Sequence, residues 1–245
     1  MFKKILIITD NLDISKKLKK IIRAKNIEDL FYYSVSPFSK KNEFSNALDC
    51  TVSSFDMRME GDVLEIINSY DLVLSIHCKQ IFPEKLLKSV RCINIHPGYN
   101  PINRGWYPQV FSIIQNLPVG ATIHEIDTEI DHGNIIAREF VEKKNTDTSL
   151  TLYLRIVEKE LQLFDKNIID IINDNYKTSV PECEGNLFLK KDFNKLKEID
   201  LNEKSTAWTL INKLRALTHG NYNNAYFINP ETGKKIYVSI SLKEV

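Results

Sequence analysis

The sequence has few of the features that mark a specialised class of protein. Its 245 residues include only four cysteines, with no CxxC pair and no histidine at zinc-ligand spacing from any of them. This pattern excludes a disulfide-stapled module and a zinc site. It predicts reduced thiols in a cytoplasmic protein that holds no metal.

Long apolar segments are also missing. No run of the sequence approaches the roughly 20 apolar residues that a membrane span requires. The apolar run at residues 5–8 is followed at once by Thr9, Asp10 and Asn11, so it is too short for the hydrophobic part of a signal peptide. We therefore expect no membrane partner.

Neither sign of charge is in excess. Lys and Arg number 33 and Asp and Glu number 32, so the formal net charge is +1. Because proteins that bind nucleic acids through phosphate groups need a basic surface, we expect no nucleic-acid partner. A hydrophobic fraction of 43% and a charged fraction of 27% are typical of a folded globular chain and exclude extended disorder.

The chain does contain an alternation of short apolar runs and helical patterns. The pattern predicts strands at residues 5–8, 31–35, 71–77, 92–95, 119–126 and 134–141. Between them it predicts a helix after residue 13, with Asp13 as a candidate N-cap, and helices at 61–69, 83–88, 106–116 and 149–175. The last of these would bury a stripe of Leu150, Leu154, Val157, Leu161 and Phe164. The order indicates an α/β fold with a mainly parallel, Rossmann-like sheet.

The texture of the sequence changes after residue 175. Residues 224–228 and 235–240 flank the turn-forming segment Asn-Pro-Glu-Thr-Gly and predict a β-hairpin. We therefore expect one domain over residues 1–175 and a small C-terminal extension over 176–245. The exposed aromatic residues expected on the hairpin make it a candidate surface for a homodimer.

Asn94, His96 and Asp131 form the most informative constellation. Asn94 and His96 are two residues apart on a strand, so they project from the same face near its carboxyl end, where parallel sheets bind ligands. Asp131 follows the next strand and can orient the imidazole and stabilise its cation, with Gly133 relaxing the turn. Asp127 is an alternative partner for the histidine. We expect His124 to be a packed, hydrogen-bonded strand residue.

These segments resemble the formyltransferase family that uses N10-formyltetrahydrofolate. The resemblance rests on Asn94-x-His96, on the loop at 97–105 and on residues 120–136, and it covers residues 1 to about 175. The His-Pro-Gly-Tyr-Asn-Pro segment with Arg104-Gly-Trp-Tyr is most similar to enzymes that formylate nucleotide-linked amino sugars. The tail at 214–227 also resembles enzymes acting on dTDP-linked amino-dideoxysugars, such as dTDP-4-amino-4,6-dideoxyglucose, which implies a place in lipopolysaccharide O-antigen biosynthesis.

The resemblance implies a mechanism and a set of catalytic residues. The sugar amine would attack the formyl carbon without a covalent enzyme intermediate. His96 would accept the proton that the nitrogen loses, Asn94 would donate a hydrogen bond to the tetrahedral oxyanion, and Asp131 would support the imidazolium.

The same resemblance implies where the ligands bind. The folate would lie against the loop after residues 72–76, with Asp127 opposite; the predicted contacts are Cys78, Lys79, Gln80 and Ile81. The sugar nucleotide would approach from the side of Asn11, Gly98 and Tyr99. Lys79 or Arg104 could meet its diphosphate, and the aromatic candidates for stacking on the base are Trp106, Tyr107 and Tyr222.

Other activities of related chemistry remain alternatives. Phosphoribosylglycinamide formyltransferase shares the pattern but opens with a glycine-rich phosphate loop, whereas residues 9–13 here contain no glycine and two carboxylates. Methionyl-tRNA formyltransferase is disfavoured by the net charge of +1. A hydrolase that releases formate from the same cofactor, and a non-catalytic binding module of this fold, also stay open.

Overall fold

The computed structural model describes residues 1–244, and the chain divides into two compact units whose segments alternate along the sequence. The first unit comprises Met1–His96, Thr122–Arg138 and Glu160–Glu182. The second comprises Pro97–Ala121, Glu139–Lys159 and the chain from Cys183 onward. This interleaving is not visible in the sequence pattern, and the functional division into residues 1–175 and 176–245 stays a prediction.

Eleven strands are present in the described residues. They are β1 Ile5–Ile8, β2 Phe31–Val35, β3 Val52–Ser54, β4 Leu72–Ile76, β5 Arg91–His96, β6 Arg104–Gly105, β7 Gly120–Glu125, β8 Ile135–Phe140, β9 Leu187–Phe188, β10 Ala225–Ile228 and β11 Lys235–Val238. Seven of them form one sheet in the order β3-β2-β1-β4-β5-β7-β8. The pairs from β3 to β5 are parallel, and β7 pairs with β5 in the antiparallel direction. The predicted α/β class and the mainly parallel sheet are confirmed.

Eight α-helices accompany these strands within residues 1–244. They are α1 Leu12–Ala24, α2 Lys41–Leu48, α3 Glu60–Ser69, α4 Glu84–Ser89, α5 Pro108–Ile114, α6 Ser149–Ile172, α7 Lys190–Leu196 and α8 Ala207–Leu217. The sequence pattern missed α2 and β3, because α2 buries only Phe44 and Leu48, too few residues to show a period. Helix α5 begins at Pro108 rather than Trp106, since Tyr107 adopts a left-handed φ of 56° that a helix excludes.

The beginning of α1 corrects one sequence-based expectation. Asn11, not Asp13, is the N-cap: its Oδ1 accepts a hydrogen bond of 3.1 Å from the backbone N–H of Ile14. The helix starts at Leu12, so Asp13 lies inside the first turn, where a carboxylate still interacts favourably with the helix dipole.

The core of the sheet forms where the apolar runs predicted it. All four residues of β1 are fully buried, and so are most side chains of β4. Helix α6 buries Val157 and Phe164 as predicted, but Leu154 is 57% exposed, and the unpredicted Leu152 and Ile156 are fully buried. The buried face therefore overlaps the predicted stripe but leaves out Leu154, a difference that apolar spacing alone could not distinguish.

The C-terminal part of the second unit contains the predicted hairpin. Strands β10 and β11 pair in the antiparallel direction. Helix α8 packs against α5, and Arg215 on α8 donates from Nη1 to the backbone carbonyls of Lys144, Asn145 and Asp147 at 2.8, 3.0 and 3.1 Å. None of the helices in residues 1–244 has the length and apolarity needed to cross a bilayer.

Candidate active site

Asn94, His96 and Asp131 lie together at the carboxyl end of β5. The Nδ2 of Asn94 donates a 2.9 Å hydrogen bond to Oδ1 of Asp131, and the Nδ1 of His96 lies 3.4 Å from Oδ2 of the same carboxylate. The His96 and Asp131 side chains are 5% and 13% exposed. Asn94 and His96, two residues apart on β5, therefore lie on the same face of the strand, as the sequence predicted.

The carboxylate of Asp131 determines how the imidazole of His96 is oriented. Because a carboxylate accepts hydrogen bonds, the ring nitrogen that faces it, Nδ1, carries the proton in the neutral tautomer. The lone pair then resides on Nε2, at the opposite side of the ring. An imidazole held this way can act as a general base, and its cation would be stabilised by the nearby carboxylate.

His124 belongs to the same cluster, and it is a buried, hydrogen-bonded residue of β7, as the sequence predicted. Its Nδ1 lies 2.7 Å from the carbonyl oxygen of Glu125, so Nδ1 must be the donor of that hydrogen bond. Its Nε2 lies 3.3 Å from Nδ2 of Asn94 and 3.4 Å from Oδ1 of Asp131. The cross-strand register, which pairs Asn94 with His124, is the signal that could have identified it.

The neighbours of Asn94 use both hydrogens of its amide nitrogen. With His124 neutral and protonated on Nδ1, its Nε2 accepts one Nδ2–H of Asn94, while Asp131 accepts the other. The amide is thereby held in a single orientation. A ligand oxygen that takes a hydrogen bond from this amide must replace one of these two acceptors.

The loop that carries Asp131 depends on a close backbone approach. A Cβ atom on Gly133 would lie 2.0 Å from the carbonyl oxygen of Glu125, so no larger residue fits without moving the loop. Asp131 itself has a left-handed φ of 49°. Gly133 is thus required for space rather than for the turn freedom that the sequence suggested.

Asp127 is not the partner of His96. Its Oδ2 lies 2.8 Å from Nδ1 of His132, and its Oδ1 accepts the backbone N–H of Glu129 at 2.9 Å. The alternative in which Asp127 orients the ring of His96 is therefore wrong, because the carboxylate beside that ring is Asp131. A contact between Asp127 and the folate stays a prediction.

The predicted folate loop follows β4. Cys78 is half-buried, and burial raises the pKa of its thiol to about 12, so the thiol is not a nucleophile at neutral pH. The side chain of Gln80 donates to the carbonyl of Phe55 and accepts from the N–H of Met57, both at 2.9 Å. Gln80 therefore supports the loop through its side chain, while Ile81 is 76% exposed.

The turn after β1 is occupied by internal hydrogen bonds. Oδ1 of Asp10 accepts from the N–H and hydroxyl of Ser36 at 3.1 and 2.6 Å and from the hydroxyl of Ser39 at 2.7 Å. Its Oδ2 accepts the backbone N–H of Lys79 at 3.0 Å. Residues 9–13 contain no glycine, and the side chain of Asn11 caps α1. This turn therefore has no glycine-rich cradle for a phosphate group.

The other predicted substrate contacts lie in the second unit. Gly98 is buried, and the ring of Tyr99 stacks on Phe140 with 3.8 Å between centroids. Arg104 is 4% exposed, and its Nη2 donates to Glu184 at 2.6 Å.

Trp106 and Tyr222, two of the three aromatic candidates in this unit, differ in exposure. Trp106 is half-buried, with the Nζ of Lys190 5.6 Å from its ring centroid. Tyr222 is 73% exposed, and its ring centroid lies 5.8 Å from that of His219. Tyr222 is therefore the more accessible of the two flat surfaces. The binding roles of these residues stay predictions.

Comparison with known proteins identifies two family models in the chain. The model described as Formyl transferase matches residues 34–168. The model described as N-formyltransferase dimerization C-terminal domain matches residues 192–244.

Individual relatives agree with these matches. The dTDP-4-amino-4,6-dideoxyglucose formyltransferase of Mycobacterium tuberculosis is 49% identical over 181 residues, which are 74% of this chain and 77% of the relative. A 4-N formyltransferase from Francisella tularensis, known as a crystal structure, is 44% identical with a TM-score of 0.92, covering 99% of both chains. A sugar 3N-formyl transferase crystallised in the presence of dTDP and 5-N-formyl-THF is 25% identical with a TM-score of 0.70, covering 87% of this chain and 78% of its own.

Proposed function

The chain belongs to the formyl transferase family, and we propose that it transfers a formyl group from N10-formyltetrahydrofolate to the amine of a dTDP-linked amino-dideoxysugar. The observation that carries this proposal is the convergence of Asn94, His96 and Asp131 at the end of β5. The first candidate substrate is dTDP-4-amino-4,6-dideoxyglucose, because the relative at 49% identity acts on it according to its name.

His96 is proposed to handle the proton of the reacting amine. The neutral amine attacks the formyl carbon, forming a C–N bond and a tetrahedral intermediate. Nε2 of His96 accepts the proton that the nitrogen loses, and Asp131 stabilises the imidazolium. When the bond between the formyl carbon and N10 breaks, the same imidazolium returns the proton to N10, so tetrahydrofolate and the formamide leave with His96 neutral again.

Asn94 is proposed to stabilise the oxyanion of the tetrahedral intermediate. Its Nδ2 has two hydrogens, which point to Asp131 and His124. The contact to His124 is the longer, at 3.3 Å, and is the one that an incoming formyl oxygen would replace. Donation to an oxygen that becomes more negative in the transition state favours the transition state over the bound substrate.

The ligand-binding part of the proposal is supported by a separate observation. The family member crystallised with dTDP and 5-N-formyl-THF supports both ligand classes. We propose that the folate contacts the loop of Cys78, Lys79, Gln80 and Ile81 together with Asp127, and that the sugar nucleotide contacts Asn11, Lys79, Gly98, Tyr99, Arg104, Trp106 and Tyr222. We further propose a cytoplasmic homodimer formed through the matched dimerization segment at 192–244.

The turn at residues 9–13 argues against glycinamide ribonucleotide as the acceptor. Asp10 accepts hydrogen bonds from three neighbouring residues and leaves a carboxylate where that substrate would need backbone N–H groups for its phosphate. Formyl transfer to a sugar nucleotide is therefore the single function that we propose.

The test is a formylation assay with purified protein. N10-formyltetrahydrofolate is combined with dTDP-, UDP- and GDP-linked amino sugars and with glycinamide ribonucleotide, and each product is weighed by mass spectrometry. We expect the mass increment of a formyl group on a dTDP-amino sugar with the wild type and none above background with His96→Ala. Formylation of glycinamide ribonucleotide alone, or near wild-type turnover by His96→Ala, would reject the proposal.

A further inference from the structure

The loop of residues 77–81 is held from two sides. On one side, Asp10 accepts the N–H of Lys79 at 3.0 Å and donates its own backbone N–H to the carbonyl of His77 at 3.4 Å. On the other side, Oε2 of Glu160 on α6 lies 2.8 Å from Nε2 of His77. The second contact reaches the loop from a helix that carries none of the proposed ligand-binding residues.

The pair of His77 and Glu160 is deeply buried. The side chains are 13% and 3% exposed, and Oε1 of Glu160 is buried without a hydrogen-bond partner among residues 1–244. Burial raises the pKa of Glu160, and the nearby His77 opposes that rise. A buried pair of this kind is often no more stabilising than apolar side chains of the same volume. Stability of the fold is therefore a poor explanation for this glutamate.

The conformation of His77 gives the pair a structural consequence. His77 directly follows β4 and has a left-handed φ of 53°, so it turns the chain out of the sheet. Because its imidazole is fixed by Glu160, the direction in which Cys78, Lys79 and Gln80 leave the strand is fixed as well. A loop that is already rigid loses less conformational freedom when a ligand binds to it.

We propose that Glu160 is a positioning residue for the formyl donor, acting through His77 to hold the 77–81 loop in the arrangement that receives the folate. This inference rests on the proposed function, since it concerns the loop to which that function assigns the folate. Glu160 acts on donor binding and not on the sugar nucleotide or the proton transfer at His96.

The experiment compares Glu160→Leu, Glu160→Gln and wild type in the full chain. The leucine removes the hydrogen-bond acceptor, whereas the glutamine keeps an oxygen that can accept from His77. Glu158→Gln, at an exposed position of the same helix, is the matched control. The readouts are the Kd for 5-formyltetrahydrofolate by titration, the KM for each substrate, and Tm.

We expect Glu160→Leu to raise the Kd for 5-formyltetrahydrofolate and the donor KM about tenfold, because the 77–81 loop loses one charge-assisted hydrogen bond that holds it in place. The sugar-nucleotide KM should stay within about twofold, and Glu160→Gln should return donor affinity to within about threefold of wild type. His77→Asn, which tolerates the left-handed backbone, serves if Glu160→Leu does not fold, and it should weaken the donor in the same way.

Two results would overturn the inference: unchanged donor affinity in folded Glu160→Leu or His77→Asn, or an equal rise of both KM values together with a lower Tm. A wild type that binds 5-formyltetrahydrofolate but formylates no amino sugar would reject the proposed function alone, because donor binding still reports on Glu160. A wild type that binds no folate would overturn both.

Discussion

Asn94 donates a hydrogen bond of 2.9 Å to one oxygen of Asp131, whose other oxygen lies 3.4 Å from the ring of His96. One carboxylate thus orients both the proposed oxyanion donor and the proposed base. Replacing it should disturb both groups at once, which distinguishes Asp131 from a residue that only packs.

Asp131→Asn should lower kcat by about 10³-fold while the KM values change little, as expected when a histidine loses the carboxylate that fixes its tautomer. The side chain keeps its size, so Tm should stay close to wild type. Steady-state kinetics with both substrates checks this. Asp174→Asn is the matched control, because Asp174 is exposed and asparagine tolerates its left-handed φ of 54°. A variant retaining more than a tenth of wild-type kcat would contradict the assigned role.

His124 offers a second test of how Asn94 is oriented. His124→Phe removes the acceptor 3.3 Å from Nδ2 of Asn94, so the amide should lose its fixed orientation and kcat should fall about tenfold. His124→Gln can still accept a hydrogen bond, so its kcat should lie between those of the wild type and His124→Phe. Equal kcat values for the phenylalanine variant and the wild type would show that His124 has only a packing role.

Gly133 allows the loop of Asp131 to pass close to the backbone of Glu125. A methyl group there would meet the carbonyl of Glu125 at 2.0 Å, so Gly133→Ala should shift the loop of Asp131, lower kcat at least tenfold and cost about 1–3 kcal/mol of unfolding free energy. Gly61→Ala is the control: Gly61 lies in α3 with nothing within 4 Å of the added carbon, and the change should stabilise the fold by about 0.5–1 kcal/mol. Chemical denaturation and kinetics measure both effects, and a fully active, fully stable Gly133→Ala would contradict the geometry.

Asp147 makes the stability of the second unit depend on pH in the acid range. Burial acts to raise the pKa of its carboxyl, but hydrogen bonds from Arg155 at 2.6 and 2.8 Å and from the N–H of Lys144 outweigh burial and lower it below the ordinary 3.8. The folded form therefore binds a proton less readily than the unfolded chain, so this contribution is complete above pH 3.8 and is lost as the pH falls through the lower folded value.

Asp147→Asn should destabilise the protein by about 1–3 kcal/mol at neutral pH, because Arg155 loses its partner. The difference from wild type should shrink as the pH falls below the ordinary aspartate value. Denaturant titrations over the acid range check this prediction. A constant difference at all pH values would show that the charge of Asp147 is not responsible.

The sequence predicted those parts of the site that depend on local periodicity. Asn94 and His96 share a face because strand side chains alternate, and this holds whatever the surrounding fold. The sequence predicts that His124 is packed and hydrogen-bonded, but not that Asn94 is its partner, because that contact depends on the register between β5 and β7, a non-local quantity. The role of Asp131 rather than Asp127 depended on the path of a single loop, which its spacing left open.

The fold could be predicted from the sequence only where an element has a clear local pattern. Buried parallel strands such as β1 have a clear signal, because a run of apolar residues has few other uses in a chain of this composition. Helix α2 and strand β3 are too short for a period to emerge. The sequence pattern predicts that Leu154 of α6 is buried, which is wrong. Several apolar rows run along this helix, and only its packing against the rest of the fold selects the buried one.

The alternation of the two units along the chain has a consequence for protein engineering. The second unit is assembled from three stretches, and the segment after Cys183 is only the last of them. A chimera that exchanges this tail between two family members would therefore combine parts of one unit from different parents. A graft that keeps this unit from one parent should transplant Pro97–Ala121 and Glu139–Lys159 along with the tail.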